Sequence, residues 1–224
     1  MTNRLQLEAQ RLFPPPLPDG RLRALCIELA GPADWPALGA LWRGVQTDLD
    51  LPAPAIAVNG SHGYQLWFSV AAPVAEGEAA ALAEALRRRW LAEASPQRLR
   101  VWTAGLDGIL PPRQVAEEQW AAFVAPDLAP MFEGTPWLDV APGAEGQADL
   151  LARQQPIPLE TWREAMRRLG ASSARAQVAS PAVALAPLVG HESDPRAFLL
   201  RVMNDPQVEL ALRIEAAKAL LANG

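Results

Sequence analysis

Apolar residues in this chain change their spacing several times, and each change marks an element. Leu22–Leu29 alternates at first, with Leu22, Ala24 and Cys26 set against Arg23, Leu25 and Ile27, and its later half is apolar on both faces. That pattern predicts a central strand, which Gly31-Pro32 ends. From Trp35 to about Asp48 the spacing turns helical, with Leu38, Leu41, Trp42, Val45 and Leu49 on one stripe. Asp34 stands as its cap and Pro36 in its first turn. Ala55–Val58 and Tyr64–Val70 are two β-rich runs around an Asn59-Gly60-Ser61-His62-Gly63 tip, the signature of a hairpin. A second amphipathic helix is expected over 76–94, with Leu82, Leu86, Trp90 and Leu91 inward and Arg87-Arg88-Arg89 near its end. Arg98–Trp102 reads as a third sheet segment.

The pattern weakens over 103–158. Gly105, Gly108 and Pro111-Pro112 mark turns, Gln114–Phe123 reads as helix, and Phe123–Phe132 is apolar but broken by proline. A short helix is expected over 146–154. From about Pro158 only helical spacing remains: Leu159–Leu169, Ser172–Val178, Ala182–Leu188, Arg196–Met203 and Val208–Leu221. The expected fold class is α+β, a small mixed or antiparallel sheet flanked by helices, followed by an all-helical C-terminal region. The expected division is an extended proline-rich lead-in over 1–20, an α+β domain over 21–157 and a helical module over 158–224. The lead-in ends on Phe13-Pro14-Pro15-Pro16-Leu17-Pro18, which is extended because each ring fixes φ and disfavours helix before it. It reads either as a strap across the domain surface or as a segment for a proline-binding partner.

Composition narrows the function classes. The 224 residues are 50% hydrophobic, enough for a sizeable core, and the net charge is −5. That balance argues against a duplex-binding surface over the whole chain. The lone cysteine, Cys26, lies in the apolar run of the first strand and excludes an intramolecular disulfide. The N-terminus has no apolar signal core, and no run of about 18 apolar residues predicts a membrane span. A cytoplasmic protein is expected. The alanine, arginine, leucine and proline content resembles that of a GC-rich bacterial genome.

Candidate chemistry is sparse. His62 and His191 have no partner at metal-ligand spacing, and neither a Gly-Lys-Ser/Thr phosphate loop nor a nucleophile elbow occurs. No metal, no cofactor and no catalytic residue is expected. Glu117 and Glu118 would diverge on a helix, Asp48 and Asp50 flank a helix end, and Asp127 follows a proline, where turn duty suffices. The best basic cluster is Arg87, Arg88, Arg98 and Arg100, interleaved with Trp90 and Trp102. It suits either a phosphate backbone with stacked bases or a solvated helix face.

Three segments together resemble the archaeo-eukaryotic primase superfamily, in its bacterial and mobile-element primase-polymerase branches. The family sets an acid-apolar-acid motif on an early strand, and this chain has Leu25-Cys26-Ile27-Glu28-Leu29-Ala30 there. A hairpin strand follows in the family with a Gly-rich start and His-apolar-Trp, and this chain has Gly60-Ser61-His62-Gly63-Tyr64-Gln65-Leu66-Trp67. The likeness covers about residues 20–105. It implies a nucleotide site in which paired acids hold a divalent metal ion for nucleotidyl transfer. Here Glu28 stands alone, because Ala30 takes the second acid position, and Gln65 stands in place of the histidine. His62 lies in the turn. The resemblance therefore implies a degenerate, non-catalytic copy, with Glu28, His62 and Gln65 as the remnant of the site.

Residues 194–221 are similar to one HEAT-like helix pair and to a helical segment of phage terminase small subunits. A lone pair makes no solenoid, so residues 190–224 suit a protein partner or a homodimer contact. The leading expectation is a non-catalytic protein of a plasmid or phage acting in DNA replication through nucleic acid or a replication partner. The alternatives are a scaffold with no nucleic-acid role, and an enzyme whose site is not legible.

Overall fold

A computed structural model describes residues 3–170, which fall within one compact unit. The expected segments 172–178, 182–188, 196–203 and 208–221, with the 190–224 partner surface, lie outside the described residues. Within them the chain is mixed α and β, with five α-helices and one antiparallel sheet of six strands. The helices are α1 (Arg4–Leu12), α2 (Trp35–Thr47), α3 (Glu76–Trp90), α4 (Ala144–Ala152) and α5 (Leu159–Arg168). The strands are β1 (Leu22–Leu29), β2 (Ala55–Val58), β3 (Tyr64–Val74), β4 (Leu99–Trp102), β5 (Arg113–Ala116) and β6 (Gln119–Val124).

The sheet order is β4-β1-β3-β2-β6-β5. Its first four strands, with α2 and α3 between them in sequence, form the β-α-β-β-α-β arrangement known as split βαβ. The β5–β6 hairpin extends that sheet beyond β2. Register follows from burial. Leu25, Ile27 and Leu29 of β1 and Leu66 and Phe68 of β3 share one face, because side chains alternate along a strand. That first face is covered by α2, α3 and α5. A bulge between Leu22 and Ala24 returns Leu22 to it. The opposite face carries Ala24, Cys26, Ala57, Trp67 and Phe123, and it meets Ala9, Leu12 and Phe13 of the N-terminal segment and Leu151 of α4. Cys26 is the core residue its surroundings predict: it is fully buried, and burial raises its thiol well above the ordinary range.

Local chemistry explains the element ends. Asn3 Oδ1 accepts the Gln6 N–H, and the Asn3 N–H donates in return to Gln6 Oε1, a capping box that starts α1. Asp34 caps α2 by accepting the Ala37 amide at 3.0 Å. A Cβ at Gly44 would overlap the Trp90 indole, so glycine there lets α2 and α3 approach closely. α5, grouped by its pattern with the helical region, packs into this same body through Trp162, Ala165 and Met166. The proline-rich lead-in is likewise part of it, through α1 and Phe13.

One expected element is corrected. Gln114–Phe123 is not a helix but most of the β5–β6 hairpin, turned at Glu117-Glu118 with Glu118 at φ 53°. Ala116, Glu117, Glu118, Gln119, Ala121 and Ala122 favour helix by themselves, yet Ile56, Ala57 and Val58 of β2 need a strand partner on that edge. The tertiary pairing outweighs the local preference.

Candidate functional site

Sheet register brings two of the three remnant-site residues together. Glu28 of β1 lies directly opposite Gln65 of β3, and both point to the second face. Gln65 Nε2 donates to Glu28 Oε2 at 2.7 Å, and Trp67 Nε1 donates to Gln65 Oε1 at 3.0 Å. Arg100, opposite Glu28 on β4, brings its guanidinium to 3.7 Å from Glu28 Oε1. Glu28 is 4% exposed and Gln65 2%. A carboxylate this deep is stable only when paired, and the glutamine amide and arginine supply that pairing.

His62 does not join them. Its ring packs over Gly31, where an added Cβ would fall 2.9 Å from His62 Cδ2, and its Nδ1 lies 2.6 Å from Ser61 Oγ. The tip that holds it is organised by Asn59. The single oxygen Oδ1 of Asn59 accepts the amides of Ser61, His62 and Gly63, each at 3.0 Å. His62 therefore points outward from an Asx-type turn.

The basic residues are mostly engaged. Arg87 donates twice to Glu84 at 2.7 Å, which lowers the Glu84 carboxyl below its ordinary range. Arg98 donates to the backbone oxygens of Ala30 and Pro32 and lies 3.8 Å from Asp34. Arg100 faces Glu28. Arg88 is exposed and forms no ion pair among the described residues. Arg89 lies over the Trp90 ring, 4.8 Å from its centroid, while its guanidinium meets Asp48.

The donor set does not suit a divalent ion. One oxygen of Glu28 is taken by Gln65, Ala30 offers no second carboxylate, and no group of three or more His, Cys, Asp or Glu is placed to hold a metal among the described residues. What the arrangement can do chemically is hold β1, β3 and β4 in register and fix the rotamers of Gln65 and Trp67.

Two further polar residues were not singled out from the sequence. Gln147 of α4 is 5% exposed, and its side-chain amide accepts from Phe123 N at 2.8 Å and donates to Phe123 O at 2.9 Å. It takes the place of a neighbouring strand where β5 has ended, so the outer edge of β6 has its hydrogen bonds. Nothing local to Gln147 announces this role. Asn59 ahead of Gly60-Ser61 does carry a signal, the Asx-turn preference. No family model matches the chain, and no curated protein matches it. No helix among the described residues is long and apolar enough to cross a membrane.

Proposed function

We propose that this chain is a primase-like domain without nucleotidyl-transfer chemistry, serving replication or its regulation on a plasmid or phage by binding a protein partner. The observation that carries the reading is the Gln65–Glu28 hydrogen bond. In the resemblance, these are the positions of a metal-binding acid and a phosphate-facing histidine. Here they satisfy each other in a buried network, and neither presents a free group to a triphosphate. The split βαβ order of the first four strands supports the likeness, while fold alone carries no activity.

The direct test is primer synthesis and extension on single-stranded template with nucleotides and Mg²⁺ or Mn²⁺. No incorporation is expected from the full chain, and Glu28→Ala should change nothing. Template-dependent incorporation that disappears in Glu28→Ala would refute the proposal.

A second reading, direct contact with single-stranded nucleic acid, is favoured by the exposed Arg88, which forms no ion pair among the described residues, beside the Arg89–Trp90 stack. It predicts binding that weakens steeply as salt rises and that Arg88→Glu reduces at low salt. Absence of binding at low salt leaves the protein partner as the ligand.

A further inference from the structure

β4 ends the sheet on one side, and among the described residues no strand lies beyond it. Its backbone is divided between two directions. Ala30 N donates to Arg98 O at 2.7 Å, so the Arg98 carbonyl faces β1. Hydrogen-bonding direction alternates along an antiparallel strand. Arg100 and Trp102, paired with Glu28 and Cys26, therefore also turn their backbone groups to β1. Leu99, Val101 and Thr103 turn theirs outward. Leu99 N is satisfied by Pro96 O. Leu99 O, Val101 N, Val101 O and Thr103 N have no hydrogen-bond partner among the described residues. Donors and acceptors at this spacing are a template for one more strand. The other outer strand, β5, is not equivalent. Its register shifts between Gln114 and Ala116, an irregularity that blunts an edge. β4 keeps an unbroken register with β1 and contains neither proline nor glycine.

The side chains of β4 decide which strand fits. Leu99 and Val101 lie on the first face, opposite Leu29 and Ile27, and Arg100 and Trp102 on the second, opposite Glu28 and Cys26. A second β4, running antiparallel about a two-fold axis at Val101, sets Val101 against Val101, Arg100 against Trp102 and Leu99 against Thr103. The outward groups then satisfy one another: Val101 N–H meets Val101 O, and Thr103 N–H meets Leu99 O, each twice by symmetry. Arg100 and Trp102 fall at the closer, non-hydrogen-bonded positions of the ladder. A guanidinium over an indole is attractive there, and the Arg100 side chain, 57% exposed beside Glu28, has surface left to reach across. Charge selects this register over its neighbour. An axis at Arg100 would set that arginine against itself, and like charges directly opposite are destabilising.

We propose that β4 pairs with β4 of a second copy of this chain, antiparallel and centred on Val101, and so joins two six-stranded sheets into one. This goes beyond the reading of the chain as a primase-like domain and holds whether or not the chain makes primers. The ladder is short, so the contact belongs with small, transient interfaces and not with obligate ones.

The test follows the full chain by sedimentation from micromolar to near-millimolar concentration, with amide exchange read at both ends of the range. A reversible dimer is expected, with exchange at Val101 and Thr103 slowing as concentration rises. Arg100 and Trp102, already bonded to β1, should change little. Val101→Pro deletes only an outward N–H, and Val101→Lys sets two charges against each other on the axis; each should weaken association about fivefold or more. Val101 is 44% exposed, so Val101→Lys should melt like the parent in dilute solution, and it decides the matter if Val101→Pro does not fold. Paired Val101 Cα atoms would stand about 5.5 Å apart, within disulfide reach. Cys26 is buried, so mild oxidation should cross-link Val101→Cys and not Val115→Cys on β5. A dimer that survives Val101→Lys, or one in which Val101→Cys stays uncrosslinked, overturns the proposal. So does a chain that is monomeric at every concentration, a result that would leave the open edge to a strand of a different protein.

Discussion

On one face of the sheet, Leu25, Ile27, Leu29, Ile56, Leu66 and Phe68 meet α2, α3 and α5, and every strand residue that reaches the core there is apolar apart from the Tyr64 hydroxyl. On the other face, the same strands carry Glu28 and Gln65 between Cys26, Ala57, Trp67 and Phe123. The Tyr64 hydroxyl finds Ala129 O at 2.8 Å, a single bond that closes its account. The second face instead needs a linked set: Trp67 to Gln65, Gln65 to Glu28, Arg100 beside Glu28, and Gln147 on the Phe123 backbone. The first face is held by area and shape, which tolerate small substitutions. The second carries more buried polar atoms, several linked to one another and two, Ser69 Oγ and Trp102 Nε1, without a partner among the described residues, so that losing a linked partner leaves a further buried group uncompensated.

The largest effect should come from the first face. Leu66 is fully buried between Ile27 and Ile56, and Leu66→Ala removes apolar area and leaves a cavity, at a cost of about 4 kcal/mol. Urea denaturation at neutral pH measures it. A loss below about 1 kcal/mol would mean that the helices collapse onto the sheet far more readily than its packing implies.

Next comes the pair at the centre of the second face. Gln65→Leu leaves the Glu28 carboxylate without its 2.7 Å donor and should cost about 3 kcal/mol. Glu28→Leu/Gln65→Leu removes the buried carboxylate along with its donor and should regain part of that loss, the remainder being the Trp67 Nε1 left without its acceptor. If the double variant is no more stable than Gln65→Leu, the two side chains do not share an interaction, and the contrast between the faces fails at its main point. Gln147→Ala is a smaller break: it orphans one N–H and one C=O on Phe123 and should cost about 2 kcal/mol, with faster amide exchange at Phe123 as its local signature.

The first face was far more legible in the sequence than the second. Leu38, Leu41 and Val45 at helical spacing, and the doubly apolar run through Ile27 and Leu29, report burial directly, so β1, α2, the β2–β3 hairpin and α3 could be placed from pattern alone. The Glu28–Gln65 bond was not readable, because cross-strand register depends on where β3 begins relative to β1. Their positions became comparable only through the family resemblance. The role of Gln147 was invisible for a similar reason: it answers an unpaired backbone 24 residues earlier in the chain. Ala116–Ala122 misled because alanine, glutamate and glutamine prefer helix by themselves, whereas β2 needed a strand.

The smallest effect concerns charge at the rim of the first face, where α5 keeps its ionic groups in solvent. Glu164 accepts from both Arg167 and Arg168, and these hydrogen bonds pull its carboxyl from an ordinary 4.5 down to about 2. Arg168 also reaches Asp50 at 2.8 Å and so ties the end of α5 to the loop after α2. A carboxyl whose pKa is lower in the folded state stabilises it above the unfolded value, and that stabilisation is lost as pH falls from about 4.5 towards 2. Because these groups are exposed, salt screens the effect and it stays small beside the core substitutions. Carboxyl chemical shifts should place the Glu164 midpoint near 2, and Glu164→Gln should flatten the melting temperature over pH 2 to 4.5 without lowering it to the extent that Leu66→Ala or Gln65→Leu does. A Glu164 midpoint at 4.5 would show that its arginine bonds do not persist in solution, and the charged rim of the first face would then contribute nothing to holding α5 in place.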